Sequence, residues 1–336
     1  NSANPGTLDM TQKYLLGFDI GGTKCAAILG AIRDGGEPEP LSRTQFATRE
    51  CATPGECIEK LCRLGLEALR QAGLRPGDLH GVGISCGGPL DSRRGIIQSP
   101  PNLPGWDNVP ICAMVAERFP CPVRLQNDAN AGAVAEWKYG AGKAVQSLIF
   151  LTFGTGLGAG LILDGRLYSG GCDLAGECGH IRLAPFGPVG FGKAGSFEGF
   201  CSGGGIAQLA AVRAKEALQR GEKVPWCPTQ ADLPNITAKT VGIAADEGDP
   251  LARAIYSECG SWLGRGLALL VDLLNPERIV IGSIFARSET WIRPAMEESL
   301  RSEAIPAAAA HCRVVPAQLG EKIGDYAALA LATGEY

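Results

Sequence analysis

The sequence predicts a layered α/β protein with two lobes, and three observations support this fold class. Strand-like apolar runs alternate with helix-like segments along the chain. A hairpin folded around glycines occurs twice, first at Gly21 and Gly22 and again at residues 154–158. The 336 residues exceed the usual size of a single hydrophobic core. Each lobe is therefore expected to carry one glycine hairpin.

The elements of the first lobe follow in order. Apolar runs on both sides of Gly21 and Gly22 predict two paired strands. A helix is predicted where Ile58, Leu61 and Leu69 recur at helical spacing, and Gly73 ends it. The predicted elements are strands at 14–19, 25–32, 41–47, 79–85 and 122–125, and helices at 54–72 and 111–118.

The same layout then repeats in the second lobe. An Ala-rich helix leads into a strand, a glycine turn and a second strand. The predicted elements are strands at 147–153, 159–163, 278–281 and 313–315, and helices at 128–139, 204–220, 250–274, 288–301 and from 322 onwards. We expect a leader at residues 1–10, a small lobe at 11–126 with 318–336, and a large lobe at 127–317.

Composition excludes several classes of protein. The net charge of −4 and the absence of a basic run argue against a nucleic-acid partner. Thirteen irregularly spaced cysteines fit reduced core thiols better than a disulfide framework. No signal peptide is recognisable, and the uncharged stretch at 147–163 is interrupted by glycines, which predicts a buried hairpin rather than a membrane span. We therefore expect a cytoplasmic protein without a membrane partner.

Both glycine turns could hold phosphate groups. A turn without bulky side chains can point successive main-chain N–H groups at an anion. Asp19 ends the first strand, where a carboxylate could hold Mg²⁺ through water, and Thr23 and Lys24 add donors. Thr152 and Thr155 offer hydroxyls at the second turn. Either turn alone is weak evidence, because most glycine hairpins only satisfy turn geometry.

Four motifs, in this order, resemble the ROK (repressor, ORF, kinase) sugar kinases of the actin-like ATPase superfamily. They are Asp19-Ile20-Gly21-Gly22-Thr23-Lys24, Asn127-Asp128-Ala129-Asn130, Gly154-Thr155-Gly156-Leu157-Gly158 and Gly176-Glu177-Cys178-Gly179-His180. The resemblance covers almost the whole chain and implies two ribonuclease-H-like lobes with ATP and a sugar in a central cleft. The ATP and Mg²⁺ contacts that we expect are Asp19, Gly21, Gly22, Thr23, Lys24, Thr152, Gly154, Thr155, Gly156 and Gly282.

The resemblance also implies a catalytic base and a sugar site. Asp128 matches the family residue that accepts the proton of the attacking hydroxyl, although Asp128 or Asn127 could simply cap the following helix. Glu177 and His180 are three residues apart and could face one ligand on a helical turn, or could be a surface Glu and a half-buried His. The expected sugar contacts are Gly88, Asn127, Asp128, Glu177, His180 and Glu198.

One segment departs from the family pattern. Many members follow the His with a Cys-x-Cys-Gly-x-x-Gly-Cys-x-Glu run that binds zinc, but here Val189, Phe191 and Ser196 occupy the cysteine positions. Valine and phenylalanine cannot ligate a metal, so we expect no structural zinc and expect apolar packing of Phe191 to hold the loop. The remaining alternative ligand set fits no familiar zinc spacing; it consists of Cys172, Cys178, His180 and Cys201.

The identity of the sugar is less constrained than the reaction. Residues 101–106 resemble the corresponding loop of the family's glucokinases, which favours glucose over N-acetylmannosamine, N-acetylglucosamine or fructose. A non-catalytic sugar-sensing regulator is the rival class, but only about thirteen residues precede the first predicted strand, too few for a helix-turn-helix. The apolar helix at 251–274 and the small-residue helix after Gly203 could bury a subunit contact or could equally be core helices, and a homodimer is expected.

Overall fold

The computed structural model describes residues 12–33 and 36–336, so the leader expected at residues 1–10 lies outside the described residues. The strands are β1 (Gln12–Ile20), β2 (Lys24–Arg33), β3 (Glu39–Ala47), β4 (Leu79–Cys86), β5 (Leu90–Asp91), β6 (Ile96–Ile97), β7 (Val123–Asn127), β8 (Leu148–Phe153), β9 (Leu157–Leu163), β10 (Arg166–Tyr168), β11 (Val189–Gly190), β12 (Lys193–Ala194), β13 (Arg278–Ile281) and β14 (Arg313–Pro316). The α-helices are α1 (Pro54–Gln71), α2 (Ile111–Ala116), α3 (Asp128–Tyr139), α4 (Phe197–Phe200), α5 (Gly203–Gln219), α6 (Ala238–Asp246), α7 (Pro250–Leu274), α8 (Ile284–Glu303), α9 (Pro306–His311) and α10 (Ile323–Thr333).

These elements form two compact units. The first unit contains the described residues up to Lys143, a short segment at 169–174 and the chain from Glu321 onwards, and the second contains 144–168 and 175–320. The boundary expected between residues 126 and 127 therefore falls after Lys143, and α3 belongs to the first unit. The reason is long-range packing, because α3 lies against α10, where the rings of Tyr139 and Tyr326 are 6.2 Å apart.

The sheet of the first unit has the strand order β3-β2-β1-β4-β7. The strands β1, β2 and β3 are antiparallel neighbours, while β4 and β7 run parallel to β1. The connections explain these directions. A short glycine turn can only reverse the chain, whereas parallel neighbours need a long crossover, here supplied by α1 and α2.

Helices cover both faces of this sheet. Leu16 and Phe18 of β1 belong to one buried cluster with Leu61 of α1. Successive side chains of a strand point to opposite faces of the sheet, so Leu15 belongs to a second cluster with Leu329 of α10. Each such side chain contributes about 1.5–3 kcal/mol on burial. The strand β4 must be free of a side chain where α10 crosses it, since a Cβ on Gly83 would clash with the carbonyl oxygen of Ala328.

The second unit repeats the arrangement. Its sheet has the order β10-β9-β8-β13-β14, again with three antiparallel strands followed by two parallel ones. The long helix α7 packs along α8 and buries one whole face, and Trp262 of α7 stacks on Phe200 with ring centroids 3.9 Å apart. Both sheets thus have the strand order and directions that the ribonuclease-H-like expectation requires, which confirms the α/β fold class.

The uncharged stretch at 147–163 forms the paired strands β8 and β9, as expected of a buried hairpin. Over the described ranges, none of the helices combines the length and hydrophobicity that crossing a bilayer requires.

Candidate active site

The carboxyl ends of three parallel strands meet at one edge of the first unit's sheet. Ile20 of β1, Cys86 of β4 and Asn127 of β7 lie side by side in the strand register. Residues next to them in sequence are therefore neighbours in space, at the edge where α/β sheets usually bind ligands. Of the predicted site residues, this edge carries Asp19, Gly88, Asn127 and Asp128.

The first glycine turn joins β1 to β2. The Gly21 N–H donates to the carbonyl oxygen of Lys24 at 3.0 Å. Thr48 holds the turn at two points, since its N–H donates to Thr23 O at 3.0 Å and its hydroxyl donates to Gly21 O at 2.7 Å. Gly22, Thr23 and Lys24 are exposed, as a phosphate-binding turn requires.

Asn102 packs against Gly22 of this turn. It was not among the site residues predicted from the sequence. A Cβ on Gly22 would clash with the Asn102 carbonyl oxygen, and a Cβ on Gly87 would lie 3.0 Å from Asn102 Oδ1. The loop that carries Asn102 is anchored by Trp106, which is buried in the core of the unit. The sequence therefore indicated Asn102 only indirectly, through Gly22 and Gly87, two positions beside its loop that have no room for a side chain.

The Asp19 carboxylate lies among other charged groups. Burial first, and then the negative charges of Asp325 and Asp128, raise the pKa of Asp19 from its ordinary value of 3.8 to about 6 against the opposing effect of Arg43. Arg43 Nε donates to Asp325 Oδ1 at 2.8 Å. A single carboxylate at a strand end can hold Mg²⁺ through water, and Asp19 fits that role. The sequence indicated Asp19 but not Asp325.

Asn127, rather than Asp128, caps the helix α3. The Asn127 Oδ1 atom accepts the Asn130 N–H at 2.7 Å, while Asp128 is the first helical residue. The alternative in which Asp128 serves as the cap is therefore wrong. The Asp128 side chain stays open to solvent, yet the protein around it raises the pKa of its carboxyl by desolvation, opposed by a hydrogen bond from the Ala129 N–H at 2.9 Å.

The second glycine hairpin contacts Glu198, one of the predicted sugar contacts. The Leu157 N–H donates to Glu198 Oε2 at 3.0 Å, and a Cβ on Gly156 would lie 2.7 Å from the same oxygen. Thr152 has a different role from the expected phosphate donor. Its hydroxyl accepts the Gly158 N–H at 3.0 Å and donates to Gly158 O at 3.3 Å, so it braces the hairpin. Gly154 and Thr155 remain accessible.

Glu177 precedes one turn of 3-10 helix and His180 ends it, as their spacing predicted. The turn spans Cys178–His180, and the His180 N–H donates to Glu177 O at 3.1 Å. Both side chains are exposed, so His180 is not a core histidine. The turn packs on the hairpin, because a Cβ on Gly179 would clash with the Leu157 carbonyl oxygen. The second unit thus brings His180 and Glu198 to the same hairpin.

A cavity of about 460 Å³ opens beside Gly154 and Thr155. The N-terminal ends of α5, α6 and α8 border it, and helix N-termini favour anions. Gly282 lies nearby at the end of β13, but its N–H is already bonded to Leu151 O at 3.0 Å. Sequence reasoning missed Gly203, Gly204, Lys239 and Arg287, which also line this cavity. A run of three glycines opening an Ala-rich helix was the available signal.

The loop that lacks the family's cysteines is a hairpin of β11 and β12. Phe191 and Gly192 form its two-residue turn, both with positive φ, and Phe191 is 75% exposed. The expected apolar packing of Phe191 is therefore limited to an edge-on contact with the His180 ring, whose centroid is 6.3 Å away. Polar contacts hold the loop, since Lys193 Nζ donates to His180 O at 2.7 Å and the Gln208 amide bonds to both main-chain groups of Val189.

Ser196, in the last cysteine position, also has a structural role. Its hydroxyl accepts the Gly199 N–H at 3.0 Å and so caps α4, the helix that carries Glu198. The alternative zinc ligands are not assembled. In residues 12–33 and 36–336, no three His, Cys, Asp or Glu side chains come together as a metal site. The buried Cys201 thiol points instead to the carbonyl oxygen of Cys259 at 3.7 Å.

The fold and these motifs define a class of nucleotide-dependent α/β enzymes, and the comparisons define the family. The sequence profile of the ROK family matches residues 15–335. A glucokinase from Streptomyces coelicolor is 32% identical, over 94% of this chain and 96% of that protein. The crystal structure of a ROK family glucokinase from Streptomyces griseus in complex with glucose and AMPPNP superposes with a TM-score of 0.73 at 32% identity, covering 96% of this chain and 99% of that one. The chain belongs to the ROK family.

Repressors are also among the relatives. A xylose repressor from Caldicellulosiruptor bescii is 33% identical, over 68% of this chain and 57% of that protein. The similarity to the glucokinases therefore extends over almost their whole length, while the similarity to this repressor covers little more than half of it.

Proposed function

We propose that this ROK-family sugar kinase transfers the terminal phosphoryl group of ATP to a hydroxyl of glucose, forming glucose 6-phosphate. The observation that carries this proposal is the position of Asp128. Its carboxylate lies at the strand edge that also carries Asp19, and Asn127 takes over the capping role that would otherwise explain an Asp at this point.

Asp128 is the proposed general base. Phosphoryl transfer to an alcohol requires a group that accepts the hydroxyl proton as the oxygen attacks. Desolvation raises the pKa of the Asp128 carboxyl, which makes the ionised form a stronger base than an ordinary aspartate. The side chain is also open to solvent, so a sugar hydroxyl can reach it.

The two glycine turns are the proposed phosphate sites. Gly21, Gly22 and Thr23 present an exposed turn in the first unit, and Gly154, Thr155 and Gly156 present another beside the cavity in the second. Asp19 is the proposed holder of Mg²⁺, which would neutralise charge on the phosphates when bound. Lys24, Lys239 and Arg287 add positive charge near these turns.

The proposed sugar contacts are Gly88, Asn127, Glu177, His180 and Glu198. Carboxylate and imidazole groups fix hydroxyl positions through directional hydrogen bonds, and a wrong epimer leaves such groups unpaired. Glucose is preferred because of the loop at residues 101–106, whose Asn102 lies against both Gly22 and Gly87. N-acetylmannosamine, N-acetylglucosamine and fructose are the alternatives.

The test is a turnover screen with ATP and Mg²⁺ over hexoses and N-acetylhexosamines, with sugar binding measured by calorimetry. We expect glucose to give the highest kcat/KM. Asp128→Asn should lower kcat by a factor of about 10²–10⁴ because the proton acceptor is lost, while glucose still binds. Glu298→Gln is the matched control, since this exposed carboxylate of α8 lies outside the site.

Two outcomes would contradict the proposal. Near-normal turnover by Asp128→Asn would remove the assigned base. Calorimetric binding of a sugar with no turnover by the unmodified protein would favour the rival class, a sugar-sensing regulator without catalysis.

A further inference from the structure

Two thiols are in contact behind the first glycine turn. The sulfur atoms of Cys25 and Cys57 are 3.7 Å apart, and both residues are buried. Cys25 lies at the start of β2, directly after the turn, and Cys57 lies near the start of α1. The hydrogen bond from Cys57 lowers the pKa of the Cys25 thiol, which favours the nucleophilic thiolate.

The thiol pair is linked to the turn through Thr48. Cys25 Sγ lies 3.4 Å from the Thr48 hydroxyl oxygen, and that hydroxyl donates to the carbonyl oxygen of Gly21. Cys25 Sγ itself lies 4.0 Å from the same carbonyl oxygen. The position of the Cys25 sulfur therefore affects the contacts that hold Gly21.

A small cavity reaches Cys57 from outside, and Cys25 lies directly behind Cys57. It has a volume of about 290 Å³ and is bordered by Gly22, Thr48, Cys51, Cys57, Asn102 and Trp106. This space is large enough for a molecule the size of hydrogen peroxide. Cys62, further along α1, is as buried as Cys57 but does not border the cavity as Cys57 does.

We propose that Cys25 and Cys57 form a reversible modification site, in which a peroxide that enters this cavity converts the two thiols into a disulfide. Peroxide first oxidises Cys57, the thiol of the pair that borders the cavity, to a sulfenic acid and is itself reduced to water. The Cys25 sulfur then attacks the sulfenic sulfur, and hydroxide leaves with the Cys25 proton as a second water. Two thiols and one peroxide thus give one disulfide and two waters.

The disulfide would change the glycine turn. A disulfide has an S–S distance of about 2.0 Å, so the sulfurs must approach by about 1.7 Å. Any part of this movement that Cys25 Sγ makes changes its contacts with Thr48 and with the Gly21 carbonyl oxygen, which hold the turn. Loss of one such contact corresponds to about a fivefold weaker affinity for the ligand of the turn. The site itself does not depend on the proposed function, whereas its effect on ATP does.

The first experiment maps the disulfide in the unmodified protein. The protein is exposed to hydrogen peroxide, its free thiols are blocked, and it is digested and analysed by mass spectrometry without reduction. We expect a cross-linked peptide containing Cys25 and Cys57 that disappears after dithiothreitol. The exposed Cys172 serves as an internal control for the strength of the oxidant. Oxidation of Cys172 without the Cys25–Cys57 cross-link, or a Cys51–Cys57 cross-link in its place, would overturn the proposal.

The second experiment measures the consequence. After peroxide treatment, KM for ATP should rise about fivefold with a smaller change in KM for the sugar, and dithiothreitol should restore it. Cys57→Ser should abolish the response, while the matched control Cys62→Ser should keep it. An equal response in Cys57→Ser would reject the site. A protein that forms the cross-link but shows no kinase activity before treatment would instead count against the proposed function.

Discussion

Single residues set the electrostatics of the first unit's site, and Asp19 is the clearest case. A carboxyl pKa of about 6, against an ordinary value of 3.8, means that the folded protein holds this proton more tightly than the unfolded chain. Ionisation of Asp19 therefore lowers stability as pH rises from 3.8 to about 6. The proposed role of Asp19 in holding Mg²⁺ requires the same ionisation, so on that proposal stability and activity respond to pH in opposite directions.

We predict that Asp19→Asn raises the melting temperature by about 2–4 °C at pH 7.5, because it removes a destabilising charge. At pH 4 the difference should vanish, since Asp19 is then protonated in the folded protein. The activity of the unmodified protein should increase through pH 6, and Asp19→Asn should be inactive. Scanning calorimetry at the two pH values, with Glu298→Gln as the control, checks this. Equal melting temperatures of Asp19→Asn and the unmodified protein at pH 7.5 would contradict it.

At the scale of single residues, the sequence predicted those features for which the residue type allows one structural interpretation at its place in the chain. Glycine hairpins and an Asp at a strand end were recognisable from local sequence. The choice between Asn127 and Asp128 as helix cap could not be made from the sequence, because both residue types are good caps and only the geometry of α3 separates them. Asp325 was not predicted either, since it reaches Asp19 from the far end of the chain.

At the scale of elements, the short helix α4 is held in place by a serine cap. Ser196 caps α4 and is fully buried, and Glu198 lies in the turn that it caps. Ser202 caps α5 in the same way, accepting the Gly205 N–H at 3.0 Å, and is also buried. The two serines are therefore matched in geometry but support different parts of the second unit.

We predict that Ser196→Ala and Ser202→Ala each lower the free energy of unfolding by about 1 kcal/mol, the usual value of a cap. Ser196→Ala should also raise KM for the sugar more than KM for ATP, because α4 positions Glu198. Ser202→Ala should affect mainly ATP, because α5 borders the cavity beside Gly154. Urea unfolding and steady-state kinetics measure both effects. The same kinetic pattern in both variants would argue against separate roles.

At the scale of the whole molecule, the alternation of strands and helices made the fold class predictable. The boundary between the units was not predictable, because α3 joins the first unit through packing on α10, about two hundred residues away in sequence. A local pattern cannot report such a contact. The hairpin of β11 and β12 was missed for the opposite reason, since four strand residues give too short a pattern to recognise.

We predict that the purified protein contains no stoichiometric zinc. Val189, Phe191 and Ser196 supply no suitable ligands, and the loop is held by hydrogen bonds. Elemental analysis should find well under one zinc atom per chain, and EDTA should leave the melting temperature unchanged. One zinc atom per chain that EDTA removes with a loss of stability would refute this.

We also predict a homodimer, with α7 contributing to the contact. Most of α7 is buried in the second unit, but Leu269 and Leu273 lie four residues apart and are 42% and 75% exposed. Light scattering should give twice the chain mass, and Leu273→Glu should give a monomer. Ile243→Glu, at an exposed position of α6, is the control. A monomeric unmodified protein would exclude the dimer.

The hydrogen bond from the Leu157 N–H to Glu198 has a thermodynamic consequence. Under the proposed function, the Glu198 carboxylate contacts the sugar and also accepts this hydrogen bond from a hairpin that binds nucleotide phosphate. On that proposal, a ligand that displaces the hairpin also shifts the carboxylate and so alters the free energy of binding the other substrate. Such heterotropic coupling is reciprocal, so a sugar that tightens nucleotide binding by some factor must itself be bound more tightly by the same factor.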